Sequence, residues 1–376
     1  ELGALIVFLR PLGLRLSKGY LQKVDEPILV IDDEADNASV NTKADEDDPT
    51  TINKKIREIL NMFTKSTYVG FTATPFANIF INPETDSEMI GEDLFPRDFI
   101  YVLDAPSNYI GARNIFPLVD ENGLDVLNKF DNMLEQIDED EIEICLPEKH
   151  KSDFKISKLP QDMYNAVYCF MLANVIRDLR GDNKSHRSML INASRFTKIQ
   201  NQIYEIIDAF VREVQRDIKA NCMFEESRAL KCRHIENLKL CWEKYYKDSI
   251  NTSWKDIQPN LSQSIGPIVV RVVNQSNGAK NLNYSEYSEG LRIIAIGGNS
   301  LSRGLTLEGL IVSYFYRNSK MYDTLMQMGR WFGYRYKYED LCKVWLTKDA
   351  VDWYSYISRA SDDLREEIKR MEDENT

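Results

Sequence analysis

The chain has 376 residues, 47 basic against 59 acidic side chains, and a formal net charge of −12. With 43% hydrophobic and 28% charged residues it has the make-up of a globular protein large enough for two cores. The acidic balance argues against a protein that coats nucleic acid non-specifically, but not against a cleft with a local basic lining, because counterion release depends on local contacts.

No apolar run approaches the ~20 residues of a membrane helix. Residues 2–16 are apolar but broken by Arg10, Pro11 and Arg15, and no Met precedes them. The expected explanation is a fragment beginning inside a domain rather than a signal peptide. Six cysteines form no CxxC pair and no disulfide framework, so reduced thiols in a cytoplasmic protein are expected. His234 follows Cys232 by two residues, but no second close pair completes a zinc set.

In chain order, residues 27–31 are a β-branched apolar run stopping at carboxylates, which predicts a buried parallel strand. Residues 41–49 predict a polar loop, and Ile52, Ile56, Ile59, Leu60 and Phe63 mark a helix. Strands are predicted over 67–71 and 99–103. The strand–helix–strand rhythm is that of a doubly wound α/β lobe. Residues 120–148 are rich in carboxylates and predict a solvated connector or small insertion. A second α/β lobe then follows. Helical spacing covers 164–179, 197–220 and 229–246, and strands are predicted over 188–192, 268–273, 291–296, 310–316 and 342–346. Residues 351–371 predict a charged, solvent-facing helix.

Four stretches carry candidate chemistry. The first is Asp32-Asp33-Glu34-Ala35-Asp36. Magnesium takes carboxylate oxygens and keeps several waters, and a second carboxylate can polarise an attacking water. Asp33, with Asp32, is assigned to the metal, Glu34 to the water and Asp36 to contacts with the other motifs. The extra Asp32 leaves the register open by one, and a polar helix start is the alternative. The second is Gly70-Phe71-Thr72-Ala73-Thr74-Pro75, where Thr72 and Thr74 can bond to the acidic box. Its alternative is an ordinary strand-to-turn segment closed by proline. The third runs from Gly297-Gly298 through Asn299, Ser300, Ser302, Arg303, Gly304 and Thr306. Glycines there let backbone amides approach phosphate closely, and a tight turn without a ligand is the alternative. Gly304 and Thr306 are candidates for nucleotide, and Asn299, Ser300 and Arg303, with Ser194 and Arg195, for a nucleic-acid strand. The fourth holds Gln327, Arg330 and Arg335. An arginine fork holds two oxygens of a phosphoryl group in transfer, and Gln327 can contact water or phosphate; an amphipathic helix with structural arginines is the alternative. A nuclease pattern at Glu367-Ile368-Lys369, near Asp362 and Asp363, lies on a charged helix and is better read as solvated surface.

In this order the four stretches resemble motifs II, III, V and VI of the superfamily-two helicases. They more closely resemble the bacterial Z-one domain family of restriction- and defence-associated proteins. The resemblance rests on Ile31 to Asp36, GFTATPFANIF at 70–80, GNSLSRGLTLEGL at 298–310 and QMGRWFGYR at 327–335. It implies an α/β fold of two RecA-like P-loop-NTPase-type lobes, the first incomplete. The first lobe would span 1–110, a connector 111–160, the second lobe 161–350 with a helical insertion at about 197–262, and a terminal helix 351–376. ATP and Mg²⁺ are the implied cofactors, and DNA and restriction or defence proteins the implied partners. ATP hydrolysis coupled to movement on DNA is the implied activity. The alternatives are a non-hydrolysing binding module with a degenerate ATPase fold and a subunit of an endonuclease. No GxxxxGK[ST] phosphate loop occurs in the 376 residues, so it is expected upstream. The spacing of Gln327, Arg330 and Arg335 also departs from the common helicase pattern, leaving open which arginine reaches the γ-phosphate.

Overall fold

The computed structural model describes residues 23–36, 40, 51–79, 81, 86–87, 91–119, 125–126, 129–273, 282–298, 306–316, 325–326 and 328–374. The predicted loop at 41–49 lies outside them. The chain divides into two compact units, residues 1–103 with 364–376 and residues 104–363. Among the described residues no helix is long and apolar enough to cross a membrane.

In the first unit, β1 (Val24–Asp33), α1 (Thr51–Asn61) and β2 (Phe63–Phe71) make a β–α–β arrangement with parallel strands. Asp32 stands beside Gly70, so the acidic box and the threonine segment leave the sheet at the same end. Ile59 and Phe63 form a small core with Val24, Ile28 and Val30. The expectation of a buried β1 is corrected here. Alternation puts Leu29 and Ile31 on the other face, where they are 58% and 63% exposed. The strand predicted over 99–103 is also not formed. Phe99, Tyr101 and Leu103 are exposed, and no described strand lies alongside to take their backbone hydrogen bonds.

The second unit is built on a six-stranded parallel sheet. Its strands are β3 (Leu134–Gln136), β4 (Arg187–Asn192), β5 (Val269–Val273), β6 (Arg292–Gly297), β7 (Leu310–Phe315) and β8 (Lys343–Leu346), in spatial order β5-β6-β4-β7-β8-β3. All five pairings are parallel. β3 comes from the acidic stretch read in sequence as connector. The short helix α2 (Glu139–Cys145) that follows is capped by Asp138, whose carboxylate accepts from Glu141 N at 3.0 Å. The longer helices are α3 (Gln161–Leu179), α4 (Thr197–Asn221), α5 (Arg233–Tyr245), α6 (Trp254–Ile265) and α7 (Lys348–Glu374).

Strand alternation sorts the core. Met189, Ile191, Ile294 and Ile296 face the large cluster shared with α3 to α6. Leu190, Ile293 and Ala295 face a smaller cluster closed by Leu282, Tyr284 and Leu307. α3 is buried almost all round, as befits a helix inside the helical layer rather than on its surface. The first half of α7 is not solvent-facing as predicted. Ala350, Tyr354 and Ile357 recur at helical spacing and enter the core, and Tyr354 OH donates to Leu325 O at 2.6 Å.

Two arginines at the starts of β4 and β6 share one carboxylate. Arg187 Nη2 and Arg292 Nη1 lie 2.6 and 2.8 Å from the Asp178 oxygens at the end of α3. Arg187 also donates to Asn174 O and Arg292 to Ser264 O, both at 2.7 Å. Burial, and then the charge of Arg292, push Arg187 down to about 10, with Asp178 opposing. This network lies at the amino ends of the strands, away from the ends that hold the candidate residues.

Candidate functional site

In the first unit the acidic box turns sharply at the carboxyl end of β1. Glu34 has φ +56°, the left-handed region that a side chain of this kind seldom occupies. Its N–H meets Asp33 Oδ1 at 3.1 Å, and Ala35 N donates to Phe71 O at 3.1 Å. The turn brings Asp36 under β2, where it is 8% exposed and bridged by both threonines. Thr72 Oγ1 donates to Asp36 Oδ1 at 2.7 Å and Thr74 Oγ1 to Oδ2 at 2.6 Å. Thr74 N donates back to Thr72 Oγ1 at 2.9 Å, and Asn78 Nδ2 to Ala35 O at 2.9 Å. Asp32 Oδ2 accepts from Tyr68 OH at 2.6 Å. Asp33 and Glu34 remain exposed. The arrangement therefore separates a buried anchoring carboxylate from two solvent-facing ones. The exposed pair is a hard-oxygen set of the kind magnesium takes.

In the second unit Ser194 and Arg195 lie at the carboxyl end of β4. The chain leaves β4 toward the β5 edge but leaves the neighbouring β7 toward β8, so the connections from these two adjacent strands diverge. Open parallel sheets bind ligands in the crevice formed there. A cavity of about 670 Å³ occupies it, lined by residues 193–196, Tyr316 and residues 148–152. Gly298, at the end of β6, closes against the same turn: a Cβ there would meet Gln200 Nε2 at 2.7 Å and Ser194 O at 3.1 Å. A side chain there would have to displace the Gln200 amide and press on the Ser194 carbonyl.

Two polar residues fix the cavity wall. His150 Nδ1 lies 2.6 Å from Pro147 O, so it carries the proton and donates. Nε2 lies 2.7 Å from the Ser194 hydroxyl, and in the neutral ring it is the acceptor of that pair. Ser194 Oγ in turn accepts from Phe196 N at 3.1 Å. Ser194, predicted as a strand contact, is 2% exposed and has its hydroxyl used on both sides. Its place is to set the turn that presents Arg195. Arg195 is exposed, beside the Phe196 ring at 4.8 Å, and Lys149 and Lys151 add exposed cations to the rim against Glu148. Burial pushes the Tyr316 phenol above its ordinary value, so it stays protonated and donates to Glu143 Oε2 at 3.2 Å.

The arginine stretch forms a tight loop held by aromatic packing. Trp331 stands edge-on to Phe315 at 5.5 Å and to Tyr354 at 5.4 Å, and Phe116 stacks on Tyr354 at 4.8 Å. A Cβ on Gly329 would sit 2.5 Å from the Phe332 ring, which explains glycine before Arg330. Arg335 turns back on the loop. Its Nη2 donates to Arg330 O at 3.0 Å and Phe332 O at 3.3 Å, and its Nη1 to Tyr334 O at 2.9 Å.

Thr306 is exposed, just before the buried Leu307. Gln327, Asn299, Ser300, Arg303 and Gly304 lie outside the described residues. Sequence reasoning did not single out His150, Lys149, Lys151 or Tyr316 for the cavity. The available signal was the run Lys149-His150-Lys151, which the neighbouring carboxylates masked.

A family model described as the Z1 domain matches residues 162–376, more than half of the chain. No curated protein and no solved structure matches it.

Proposed function

The chain belongs to the Z1 domain family, and from that premise we propose that it is the helicase-like core of an ATP-driven motor on DNA, with two RecA-like units. The observation that carries this reading is the Asp36–Thr72–Thr74 bridge. It joins the acidic box to the threonine segment at the carboxyl ends of adjacent parallel strands and leaves Asp33 and Glu34 facing solvent. The bridge also favours one register, with Asp33-Glu34-Ala35-Asp36 as the working box and Asp32 held by Tyr68.

In this reading ATP is the substrate and Asp33 would hold Mg²⁺. When bound, the ion shields the charge of the phosphates from the incoming nucleophile. Glu34 orients the attacking water and takes its proton. Arg330 stabilises the charge that builds on the transferred group. Arg335, spent on three carbonyls of its own loop, positions Arg330. The cavity at the end of β4 takes a DNA phosphate against Arg195, Lys149 and Lys151. A bacterial restriction or defence setting rests on the family resemblance alone.

The test is ATP turnover by the natural full-length protein, with and without DNA, beside Glu34→Gln. DNA-stimulated turnover that the substitution abolishes supports the motor. DNA binding without turnover would instead assign a non-hydrolysing binding module. Metal-dependent DNA cutting by this chain alone would assign an endonuclease subunit.

A further inference from the structure

Away from both candidate sites, α3, α4 and α5 bring together a group of side chains that the proposed motor does not use. Glu213 and Asp217 are one turn apart on α4 and so share a face. His234, in the first turn of α5, points its Nε2 at both. It lies 3.3 Å from Glu213 Oε1 and 3.7 Å from Asp217 Oδ2. One donor atom from each of the three residues falls within 4.8 Å of the others. The imidazole is 6% exposed, whereas Glu213 is 54% and Asp217 34% exposed, so the group opens to solvent on one side.

The other ring nitrogen is held from within. His234 Nδ1 is 2.7 Å from Tyr168 OH, and Asn237 Nδ2 donates to that same hydroxyl at 3.3 Å. Phe210 stands edge-on to the imidazole at 5.6 Å, which fixes the ring plane. A histidine whose far nitrogen is oriented in this way, with the near one aimed at carboxylates, has the setting of a metal ligand. The distances agree. Bonds of about 2.0–2.2 Å to nitrogen and oxygen place neighbouring ligand atoms about 3.0–3.6 Å apart, close to the two separations found. Arg216 Nε, 3.7 Å from Asp217 Oδ1, engages the oxygen on the far side.

We propose that Glu213, Asp217 and His234 bind a divalent transition-metal ion, zinc in the first instance, which clips α4 to α5 and completes its coordination with water on the open side. One nitrogen and two carboxylate oxygens suit zinc, cobalt or manganese. The proposal is independent of the ATPase reading.

The test is calorimetric titration of zinc into the chelator-treated full chain. A thermal melt and the visible absorption of the cobalt-substituted protein accompany it. The expected result is a single saturable site, a melting midpoint that rises with zinc, and four- or five-coordinate cobalt bands. Glu213→Gln with Asp217→Asn changes only partly exposed side chains, so the fold survives it, and the double variant should lose the site. Tyr168→Phe keeps the ring and should weaken zinc about 10- to 100-fold. No saturable binding of zinc, cobalt or manganese overturns the proposal. Binding unchanged in the double variant also overturns it, since the ion then belongs to other groups.

Discussion

The Thr74 hydroxyl donates to the buried Asp36 carboxylate at 2.6 Å, and Thr74 is itself 5% exposed. A buried charge that loses one of its donors bears the cost of desolvation without compensation. Thr74→Val, nearly isosteric, should therefore lower stability by about 1–3 kcal/mol. Urea unfolding at unchanged slope reads this. An effect no larger than that of an exposed threonine would mean that the bridge is not an anchor.

Arg330 and Arg335 should separate in a pair of assays. Arg330→Ala is expected to cut ATP turnover by about 10³-fold or more, the scale of an arginine that stabilises a phosphoryl transition state. Arg335→Ala should lower the melting midpoint as well as turnover. Arg335→Lys should restore neither, because an ammonium cannot span carbonyls on three residues as the fork does. The reverse pattern would exchange the two roles.

Removing Asp178 would leave two guanidinium groups facing each other inside the protein. Asp178→Asn is expected to cost about 3–5 kcal/mol, as for a broken buried ion pair. Chemical denaturation measures it. A loss below about 1 kcal/mol, typical of exposed pairs, would show that water reaches the network.

The cavity rim makes a prediction about salt. If Arg195 and Lys151 each meet a phosphate, alanine at either should weaken DNA binding evenly across sequences and reduce the log–log salt slope by about one. Fluorescence anisotropy over a salt series gives both values. An unchanged slope would move the DNA elsewhere.

Thiol chemistry follows from burial. All six cysteines are free, and Cys232 alone is not buried. Burial pushes Cys342 up to about 12 and raises Cys145, Cys169 and Cys222 above the usual thiol value. At neutral pH the native protein should react with a thiol reagent rapidly at Cys232 only, and at all six positions once unfolded. Fast reaction of several thiols would mean that the α3–α5 layer opens readily.

The strands and long helices were legible because their apolar residues recur with the right period. β4, β6 and β7 start or end within one residue of the sequence reading, and α4 likewise. Burial was less legible. Residues 27–31 carry the letters of a strand covered on both faces, but α1 covers only the side of Ile28 and Val30. β3 was hidden because two of its three residues are polar, Glu135 and Gln136, at the edge of the sheet. In the acidic box, the place of Asp36 beside Thr72 depends on the pairing of two strands, which the order of motifs suggested but spacing could not fix. His150 meets Ser194 across 44 positions, and His234 meets Glu213 across a helix turn-around. Neither pair leaves a local signature. Nor does sequence show that Arg335 spends itself on its own loop, since that depends on the backbone path past Gly333.

The left-handed backbone at Glu34 carries one more consequence. Glycine, and to a lesser degree asparagine, would hold that turn at a smaller conformational penalty than glutamate does. Position 34 is therefore where folding and chemistry ask for different amino acids. A laboratory population evolved for heat resistance alone, with no demand for activity, should drift at this site early. One required to keep its nucleotide turnover should hold the acid and gain its stability elsewhere.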